Sequence, residues 1–400
     1  MKVLIINSFF SVGGPPHVVK GICDALEENG DEYILAASRE QALSGMNIYR
    51  IGDKAHVYRA AIQSRLLDNE GFSSRNATRE LVAFIDEYQP DIIHLHNLHG
   101  YYINIEILFE YLKRKRTPTV WTLHDCWPLT GHCCHFSYVN CNKWMEKGCY
   151  QCPQKNEYPK SILLDNSKTN YIKKKKAFQG VESLIIVTVS KWLESIVKKS
   201  ILKEYPVKVI YNGINNHVFY RRKERSRQVI NCDKEIILGV AQNWGKKKGL
   251  YDFVELSKII SDNYIIVLVG VRDSEMPEKR DNIIAINRTD NPNELAEWYS
   301  SSSVFVNLSY EETFGLVTAE ALACGTPVIV YDATATGEIV ENGINGYTVT
   351  AGNIIEVWDK IQSIHRIKKD NCRCNYTESN MQMQYLELYR SIVEHQNDHI

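Results

Sequence analysis

Two glutamates stand eight residues apart in a stretch that is otherwise rich in small and apolar residues. Glu312 and Glu320 lie in the sequence EETFGLVTAEALACGTPV, which occupies residues 311–328. If most of this interval is helical, the two carboxylates are roughly 12 Å apart. Carboxylates that flank one scissile glycosidic bond are only about 5–10 Å apart. The spacing therefore suits the two ends of an extended ligand. The alternative is that Glu320 faces solvent.

The residues between the two glutamates predict a phosphate site. Thr313, Phe314 and Gly315 stand where the helix is expected to begin. The first turn of a helix offers backbone N–H groups and a partial positive charge, which suit phosphate. Gly315 lets the backbone come close to a ligand. The expected ligand has hydroxyl groups at each end and an anionic group between them. A sugar, a diphosphate and a ribose meet this description, so the predicted ligand is a nucleotide diphosphate-sugar.

Short apolar runs rich in β-branched residues alternate with amphipathic stretches of helical length. The predicted strands of the first half are 3–6, 33–36, 92–95, 119–123, 184–189 and 207–211. Those of the second half are 235–240, 264–269, 282–286, 304–308, 328–331 and 347–349. This alternation is typical of parallel sheets that are covered by helices on both faces. The predicted fold class is α/β, with two doubly wound Rossmann-like domains facing across a cleft.

The alternation breaks between residues 215 and 234, where the sequence is polar and carries a cluster of Lys and Arg. We predict an N-terminal, acceptor-side domain at residues 1–215, with a Cys-rich insertion at 131–153. A C-terminal, nucleotide-sugar-binding domain is predicted at 216–375. The last segment, 376–400, is predicted to form a helix that crosses back to the first domain.

The carboxylate motif resembles the signature of the family-four retaining glycosyltransferases, which have the GT-B fold. Glu312, seven residues and Glu320 are followed by Ala-Cys-Gly-Thr-Pro-Val-Ile. The resemblance implies that Glu312 meets the transferred sugar and that Glu320 meets the ribose of the nucleotide. It also implies that the backbone amides of Phe314, Gly315 and Leu316 lie near the diphosphate or the sugar.

Further motifs occur in the order that this family implies, so the resemblance covers most of the chain. The matching positions are Gly13-Gly14 after the first strand, His94-x-His96-Asn97 and His124-Asp125 at later strands, Asn212-Gly213-Ile214 before the second domain, and Lys248-Gly249 after its first strand. Gly13 and Gly14 resemble an acceptor-side glycine loop. These two glycines and Asn212 are therefore candidates for ligand binding.

One position departs from the family pattern. The family often has an Arg six residues before its phosphate-binding Lys, and here that residue is Gln242. A neutral amide donates hydrogen bonds but does not neutralise the charge of a diphosphate. Lys246 or Lys247 is an alternative source of that charge. Lys248 is therefore a catalytic candidate, whereas Gln242 and Lys247 are candidates for donor binding.

Three histidines lie at the predicted ends of parallel strands. His124 precedes Asp125 at the edge where such sheets bind ligands, so we predict an active-site role. A structural hydrogen bond beside Asp125 is the alternative. His94 and His96 face one side of their strand. They form either a metal pair or packing and acceptor-side residues, and the second interpretation is preferred because no carboxylate or Cys is near in sequence.

The segment 131–153 reads GHCCHFSYVNCNKWMEKGCYQCP and holds five cysteines. Cys149 and Cys152 have the Cys-x-x-Cys spacing of zinc ligands. The predicted ligand set is Cys133, Cys141, Cys149 and Cys152, with Cys134 or His135 as substitutes for Cys133. A loop of free cysteines is the alternative. A long irregular insertion needs something to order it, so we predict a structural zinc. A similar Cys pattern in a subgroup of the family implies the synthesis of bacterial surface polysaccharides.

The overall charge and the N-terminal sequence limit the possible partners and the expected location of the protein in the cell. The formal charge is −1, which argues against a protein that coats nucleic acid. A secretory signal and a bilayer-spanning run are both missing, so a cytoplasmic protein with reduced thiols is expected. Two basic runs, Lys113–Arg116 and Lys173–Lys176, are either solvated helix faces or a peripheral contact with the anionic inner face of a membrane. The second interpretation fits a lipid-linked acceptor, and an oligosaccharide in solution is the alternative.

These features predict a retaining glycosyltransferase that moves a sugar from a UDP- or GDP-sugar to an acceptor hydroxyl. The predicted pathway is bacterial capsule, O-antigen or exopolysaccharide synthesis. No Asp-x-Asp triplet offers a metal site, so Lys248, neighbouring lysines and helix amides balance the diphosphate charge. The resemblance implies a same-face displacement in which the leaving phosphate deprotonates the acceptor. His124 then orients or stabilises the transferring sugar.

Other functions are kept as alternatives. An enzyme of the same fold can epimerise or phosphorolyse a sugar instead of transferring it. A non-enzymatic, zinc-containing module that binds nucleic acid is a more remote alternative. A dehydrogenase is disfavoured, because no Gly-x-Gly-x-x-Gly follows the opening strand.

Overall fold

The computed structural model describes residues 1–9, 14–38, 47–222, 233–289 and 291–397. The chain divides into two units. Unit 1 comprises Met1–Tyr211 and Ser379–Ile400, and unit 2 comprises Asn212–Glu378. The chain thus passes between the units at 211/212 and 378/379, whereas the sequence pattern predicts domain boundaries at 215/216 and 375/376.

Unit 1 is built on a seven-stranded sheet in which every pairing is parallel. Its strands are β1 (Lys2–Ile6), β2 (Glu32–Ala37), β3 (Ile48–Arg50), β4 (Ile92–Leu95), β5 (Thr119–Leu123), β6 (Leu184–Thr188) and β7 (Val207–Val209). They are arranged in the order β3-β2-β1-β4-β5-β6-β7. From β1 the chain adds β2 and β3 on one side of the sheet, and it then crosses to the other side of β1 to form β4. The switch point of this sheet therefore lies between β1 and β4.

Helices cover this sheet. They are α1 (Gly14–Glu28), α2 (Lys54–Leu67), α3 (Arg75–Tyr88), α4 (Ile105–Lys115), α5 (Lys143–Glu146), α6 (Ser167–Phe178) and α7 (Lys191–Val197). Strands β4 and β5 are buried at every position, as expected of central strands with helices on both faces.

Unit 2 has a six-stranded sheet, again with parallel pairings throughout. Its strands are β8 (Glu235–Val240), β9 (Tyr264–Val269), β10 (Ile283–Ile286), β11 (Val304–Asn307), β12 (Val328–Tyr331) and β13 (Gly346–Val349). Its helices are α8 (Leu250–Ser257), α9 (Pro292–Ser301), α10 (Leu316–Ala323) and α11 (Ile354–Ser363). The order β10-β9-β8-β11-β12-β13 places the switch point between β8 and β11.

The last helix, α12 (Glu378–Asn397), packs on unit 1. Met381 and Leu388 join the apolar cluster around β1, β2 and α1, and each such buried side chain contributes about 1.5–3 kcal/mol. Gln382 Nε2 donates a hydrogen bond to the Gly21 carbonyl at 3.0 Å. These contacts fix the last helix to the domain in which the chain begins.

The segment between β5 and β6 contains buried contacts among its own side chains, which no sequence pattern predicts. Lys174 of α6 is 1% exposed, and its Nζ donates to the carbonyls of Trp127 at 2.7 Å and Thr130 at 3.0 Å. The same ammonium lies 3.4 Å from the centre of the Trp127 ring. Phe136 packs on Trp144, with ring centres 4.7 Å apart. Burial lowers the pKa of Lys174 to about 7, so this residue is not part of a solvated basic face.

The predicted α/β class, with two doubly wound Rossmann-like domains, is confirmed. All twelve predicted strands are present, with ends within two residues of those expected. Strand β3 was missed because it has only three residues and lies at the edge of the sheet. Within the described residues, none of the helices combines the length and the apolar character that crossing a bilayer requires.

Candidate active site

Lys248 and Glu312 meet at the carboxyl-terminal edge of the unit 2 sheet. Lys248 ends a short helical turn, Lys246–Lys248, which follows β8 and is called the lysine turn below. Glu312 follows β11, the neighbour of β8. Lys248 Nζ donates to Glu312 Oε1 at 2.5 Å and to the carbonyl of Glu311 at 3.2 Å. The ion pair therefore lies at the switch point, where doubly wound sheets bind their ligands.

Two further contacts fix the loops around this pair. Lys247 Nζ lies 3.3 Å from Glu311 Oε2, and the Glu311 side chain is only 4% exposed. The backbone N–H of Glu312 donates to Thr334 Oγ1, in the loop after β12, at 3.0 Å. Neither Glu311 nor Thr334 was among the predicted site residues. The only signal for Glu311 was its position beside Glu312, and Thr334 had none.

The lysine turn is followed by a glycine with a left-handed backbone conformation. Gly249 has φ +74°, and a Cβ at this position would overlap the carbonyl oxygen of Leu308. Beside it, Asp252 accepts hydrogen bonds from the hydroxyls of Tyr310 at 2.8 Å and Tyr331 at 2.9 Å. Helix α8 is thereby tied to the loop after β11 and to β12.

Helix α10 begins where the sequence predicts a phosphate-binding turn. Gly315 precedes it with φ +97°, and a Cβ there would lie 2.5 Å from Thr336 Cγ2. The first helical hydrogen bonds run from Thr318 and Ala319 to the Gly315 carbonyl, so the N–H groups of Leu316 and Val317 precede the helical ladder.

Phe314, the residue before this glycine, is oriented inward. Its side chain is buried at 2% exposure. Its ring meets the ring of Tyr376 edge to face, with centres 5.3 Å apart. The side chain of Phe314 therefore anchors the turn, while any contact with a ligand must come from its backbone.

Glu320 is partly buried and accepts a hydrogen bond from a tyrosine. Tyr299, a buried residue of α9, donates its hydroxyl hydrogen to Glu320 Oε2 at 3.0 Å. Burial raises the pKa of Glu320 to about 7, against the opposing effect of this hydrogen bond. The carboxylate is thus held away from bulk water in an environment where added hydroxyl donors would stabilise its charged form. No sequence pattern pointed to Tyr299.

The remaining donor-side candidates have different surroundings. Gln242 follows β8 and is exposed. Asn212 is the first residue of unit 2 and is 6% exposed. Its Oδ1 has no hydrogen-bond partner within the described part of the chain. Gly14 is the first residue of α1, and Gly13 lies outside the described residues.

The strand-end histidines of unit 1 form a buried cluster. His96 Nδ1 lies 2.9 Å from His124 Nε2. His94 is bonded through both ring nitrogens, to the hydroxyls of Tyr389 at 2.6 Å and Thr122 at 2.8 Å. These bonds leave His94 no nitrogen for a metal, which supports the packing interpretation. Burial lowers the pKa of His94 to about 3 and that of His124 to about 4, so both imidazoles are neutral at pH 7.

His99 and Asp125 form a second polar group in unit 1. His99 Nε2 lies 2.7 Å from Asp125 Oδ2, and the backbone N–H of Trp127 donates to Asp125 Oδ1 at 2.8 Å. Burial opposes the charge on Asp125, but the contacts with His99, together with His135 and the Trp127 N–H, outweigh it and lower the pKa of Asp125 to about 2. Together with Cys134, these two residues bring three ligand-type atoms within 4.8 Å of one another.

The predicted zinc ligands are only partly brought together. The thiols of Cys133 and Cys152 are hydrogen-bonded to each other, whereas Cys149 Sγ accepts the backbone N–H of Gly131 at 3.1 Å. Among the described residues, which include all four predicted ligands, no three of Cys133, Cys141, Cys149 and Cys152 gather their sulfurs within 4.8 Å. Zinc–sulfur bonds of about 2.3 Å require closer sulfurs than that. The observed arrangement therefore does not fit the predicted closed site.

Comparisons with known proteins find similarity to glycosyltransferases. Among curated proteins, an uncharacterised glycosyltransferase of Methanocaldococcus jannaschii is 25% identical over 416 residues, covering 96% of this chain and 95% of the relative. The O-antigen chain mannosyltransferase RfbU of Salmonella typhimurium is 32% identical over 161 residues, which cover 37% of this chain and 43% of the relative. Among solved structures, Anabaena HepE in complex with UDP and glucose has a TM-score of 0.67 at 15% identity, over 98% of this chain and 100% of that chain.

Two family models account for most of the chain. Residues 221–381 match the model described as glycosyl transferases group 1. Residues 12–217, about half of the chain, match the model of glycosyltransferase family 4. As the carboxylate motif predicts, the chain belongs to glycosyltransferase family 4.

Proposed function

We propose that this glycosyltransferase takes its sugar from a nucleotide diphosphate-sugar bound in unit 2 and transfers it with retention of configuration. The observation that carries the proposal is the Lys248–Glu312 pair at the β8–β11 switch point. It places a cation and a carboxylate in the region where a doubly wound sheet binds phosphate and sugar.

Each part of the donor has a proposed partner. Glu320 accepts hydrogen bonds from the ribose hydroxyls, and the N–H groups of Gly315 and Leu316 face the diphosphate. Glu312 contacts the transferred sugar. Lys248 has three N–H donors, so it can bind a phosphate oxygen while it keeps its contact with Glu312. Gln242 and Asn212 are secondary candidates for contacts with the nucleotide.

The proposed chemistry needs no dedicated base. The acceptor hydroxyl attacks the anomeric carbon on the face that the leaving phosphate occupies. The bond from that carbon to the phosphate oxygen breaks, and the leaving phosphate takes the proton of the hydroxyl. Lys248 and the amides at the start of α10 stabilise the charge that develops on the phosphate, which is commonly worth about 10²–10³ in rate per donor. No catalytic divalent metal is invoked.

His124 is proposed to act on the sugar as a neutral group. Burial lowers its pKa to about 4, so its imidazole carries no charge at pH 7. One ring nitrogen is shared with His96 at 2.9 Å, which fixes the orientation of the ring. A neutral, oriented imidazole can hydrogen-bond a sugar hydroxyl but is a poor proton acceptor at this pKa.

The proposed acceptor is a lipid-linked or free oligosaccharide in the synthesis of a bacterial surface polysaccharide, on the cytoplasmic side of a membrane. The support is the similarity to the O-antigen chain mannosyltransferase of Salmonella typhimurium. The nucleotide is either UDP or GDP. Because the similar Anabaena protein was solved in complex with UDP and glucose, UDP is the first choice to test.

Calorimetric titration with a panel of UDP- and GDP-sugars tests donor binding first. The donor so identified is then incubated with candidate acceptors, with and without EDTA. We expect release of nucleoside diphosphate only when acceptor is present, no effect of EDTA, and a product with the anomeric configuration of the donor by NMR. An inverted product contradicts retention, and an epimerised or phosphate-dependent product points to the epimerase or phosphorylase alternative.

A further inference from the structure

Helix α2 presents its large apolar side chains to solvent and its small ones to the protein. Tyr58, Ile62 and Leu66 recur every four residues, so they share one face of the helix. Their side chains are 69%, 44% and 39% exposed. By contrast, Ala60 and Ser64 are the buried residues of this helix. The usual distribution of a surface helix is thus reversed.

A loop from the segment between β5 and β6 adds to this face. Ile162, Leu163 and Leu164 are 55%, 63% and 46% exposed. The loop is fixed to the last turn of α2, because Ile162 N donates to the Arg65 carbonyl at 2.6 Å and Leu164 N donates to the Leu66 carbonyl at 3.3 Å. Its three apolar side chains therefore adjoin those of the helix.

We call this surface the apolar patch. It consists of Tyr58, Ile62, Leu66, Leu67, Ile162, Leu163 and Leu164, all of them exposed. Single exposed apolar residues are normal, but a contiguous group of this kind marks an interaction surface.

The charges around the patch identify its partner. Helix α2 carries Lys54, Arg59 and Arg65 and has no acidic residue, and the stretch 158–164 contributes Lys160 and no acidic residue. All four basic residues are exposed. A helix with exposed apolar side chains, whose own charged residues are all basic, complements a bilayer with anionic headgroups.

Three of the acidic residues nearest in sequence are held in structural contacts, whereas Glu157, just before Tyr158, is exposed. Asp53 caps the start of α2 by accepting the N–H of His56. Asp68, just after α2, is buried and accepts the backbone N–H of Asn166 at 2.7 Å. Asp165 accepts the N–H of Cys152 at 2.6 Å. Of these carboxylates, Asp68 is buried, whereas Asp53 and Asp165 are exposed but accept backbone N–H groups of the local fold.

The two basic runs of the sequence are a poorer match to a membrane. Lys115 lies 2.7 Å from Asp86, and Arg116 lies 3.4 Å from Glu182. Lys174 is buried. Helix α4, which holds most of the first run, has none of the large exposed apolar side chains, so that run offers charge without an insertable surface.

We propose that the apolar patch inserts into the headgroup region of a membrane that contains anionic lipids. Its aliphatic and aromatic side chains leave water, and the surrounding Lys and Arg side chains contact the lipid phosphates. The inference rests on the proposed function only in that a membrane-bound enzyme would meet a lipid-linked acceptor there. Binding itself requires neither donor nor acceptor.

Co-sedimentation of the full chain with vesicles tests the proposal. One set of vesicles holds about 30 mol% phosphatidylglycerol in phosphatidylcholine, and the other is phosphatidylcholine alone. The test variant combines Ile62→Asp with Leu163→Asp. The matched control combines Ile344→Asp with Ile355→Asp, because these unit 2 residues are similarly exposed, at 49% and 70%.

We expect the full chain to bind the anionic vesicles more tightly than the neutral ones. The test variant should lose at least about ten-fold in partition coefficient, whereas the control stays within two-fold or so. Changing Arg59→Gln and Arg65→Gln together should weaken binding by about ten-fold or more, with reduced salt dependence. Thermal unfolding and calorimetric nucleotide binding should match the unmodified protein in all variants, since the changed side chains are exposed.

Three results would overturn the proposal. The unmodified chain does not sediment with anionic vesicles, or the test variant binds them as well as the unmodified chain, or the control loses as much binding as the test variant. Light scattering addresses the rival occupant, a second copy of the chain. A dimer that the test variant dissociates would assign the patch to self-association. Nucleotide binding is measured separately, so failure of this proposal is distinguishable from failure of the donor site.

Discussion

Lys248 Nζ lies 2.5 Å from Glu312 Oε1, although the two residues are 64 positions apart in the chain. The contact exists because β8 and β11 are parallel neighbours, so the residues that follow them leave the same edge of the sheet side by side. Both side chains are partly shielded, at 33% and 19% exposure. A charge pair of this kind at the switch point suits a phosphate-linked sugar. We propose that Glu312 contacts the transferred sugar, whereas Glu320 contacts the ribose.

Changing Glu312→Gln should chiefly slow transfer, because this carboxylate is proposed to act on the reacting sugar. We expect kcat to fall by about 100-fold or more, while the calorimetric Kd of the donor changes only a few-fold. Glu320→Ala should do the opposite and weaken nucleotide binding. The control is Glu255→Gln, which breaks an exposed ion pair with Lys258 and should alter neither quantity. Equal effects of the two site variants on kcat and Kd would contradict the assigned roles.

Nucleotide affinity should depend on pH through Glu320. Burial raises the pKa of this carboxyl to about 7, so below pH 7 it is mostly protonated and must lose its proton to accept ribose hydroxyls. Affinity should therefore fall by up to about ten-fold per pH unit below pH 7 and level off above it. Calorimetry between pH 5.5 and 8.5 measures this slope. Glu320→Gln should flatten it, and a profile that is flat in the unmodified protein would argue against the ribose contact.

Alanine at Gly249 should displace the lysine turn. Its Cβ would overlap the Leu308 carbonyl in addition to the strain of φ +74°. Gly343 is the matched control, because it has φ +78° but nothing within 4 Å of the position that a Cβ would take. We expect Gly343→Ala to cost about 1 kcal/mol in urea unfolding and Gly249→Ala to cost about 1–3 kcal/mol more. Only Gly249→Ala should also weaken donor binding; equal losses of stability would count against the close approach.

Removal of the buried Lys174 ammonium should destabilise unit 1. Lys174→Met leaves the carbonyls of Trp127 and Thr130 without this donor, which should cost about 1–3 kcal/mol. Lys175→Met, at the exposed neighbouring position, should be close to neutral. Urea unfolding compares the two variants, and equal stability of both would show that the buried ammonium does not order the segment.

Urea unfolding also decides whether a metal orders the Cys-rich insertion. If its protein contacts suffice, a strong chelator should leave unfolding of the reduced protein unchanged. A stoichiometric zinc in the purified protein, with loss of stability on chelation and on replacement of Cys149 and Cys152, would instead support the predicted metal. That outcome would show that the cysteines rearrange around zinc from the positions described above.

The sheets were predictable because their strands are apolar nearly throughout, as at residues 3–6, and are separated by helical periodicity. The carboxylate motif predicted the family because Glu312 and Glu320 are followed by Gly-Thr-Pro and preceded by Lys248, whereas the two glutamates alone would also suit a solvent-exposed helix face. The side chains that contact these glutamates within the protein were not predictable from the sequence. Tyr299 lies 21 positions before Glu320, and nothing in its neighbours distinguishes a hydroxyl that meets this glutamate from an ordinary buried tyrosine.

The Lys-rich and Cys-rich stretches show why composition alone does not specify which residues meet. Lys174 lies within four consecutive lysines, and only the packing of α6 on Trp127 selects it for burial. Of the four predicted ligands, Cys133 and Cys152 meet, whereas Cys149 accepts the N–H of Gly131. Such choices depend on contacts between segments, which one sequence does not specify.

The most direct test of the donor site is a crystal structure of the protein with its nucleotide-sugar. We expect the ribose hydroxyls within hydrogen-bond distance of Glu320, the diphosphate against the N–H groups of Gly315 and Leu316, and the sugar beside Glu312. A nucleotide bound elsewhere, with the turn between the two glutamates free of any contact to it, would contradict the central claim.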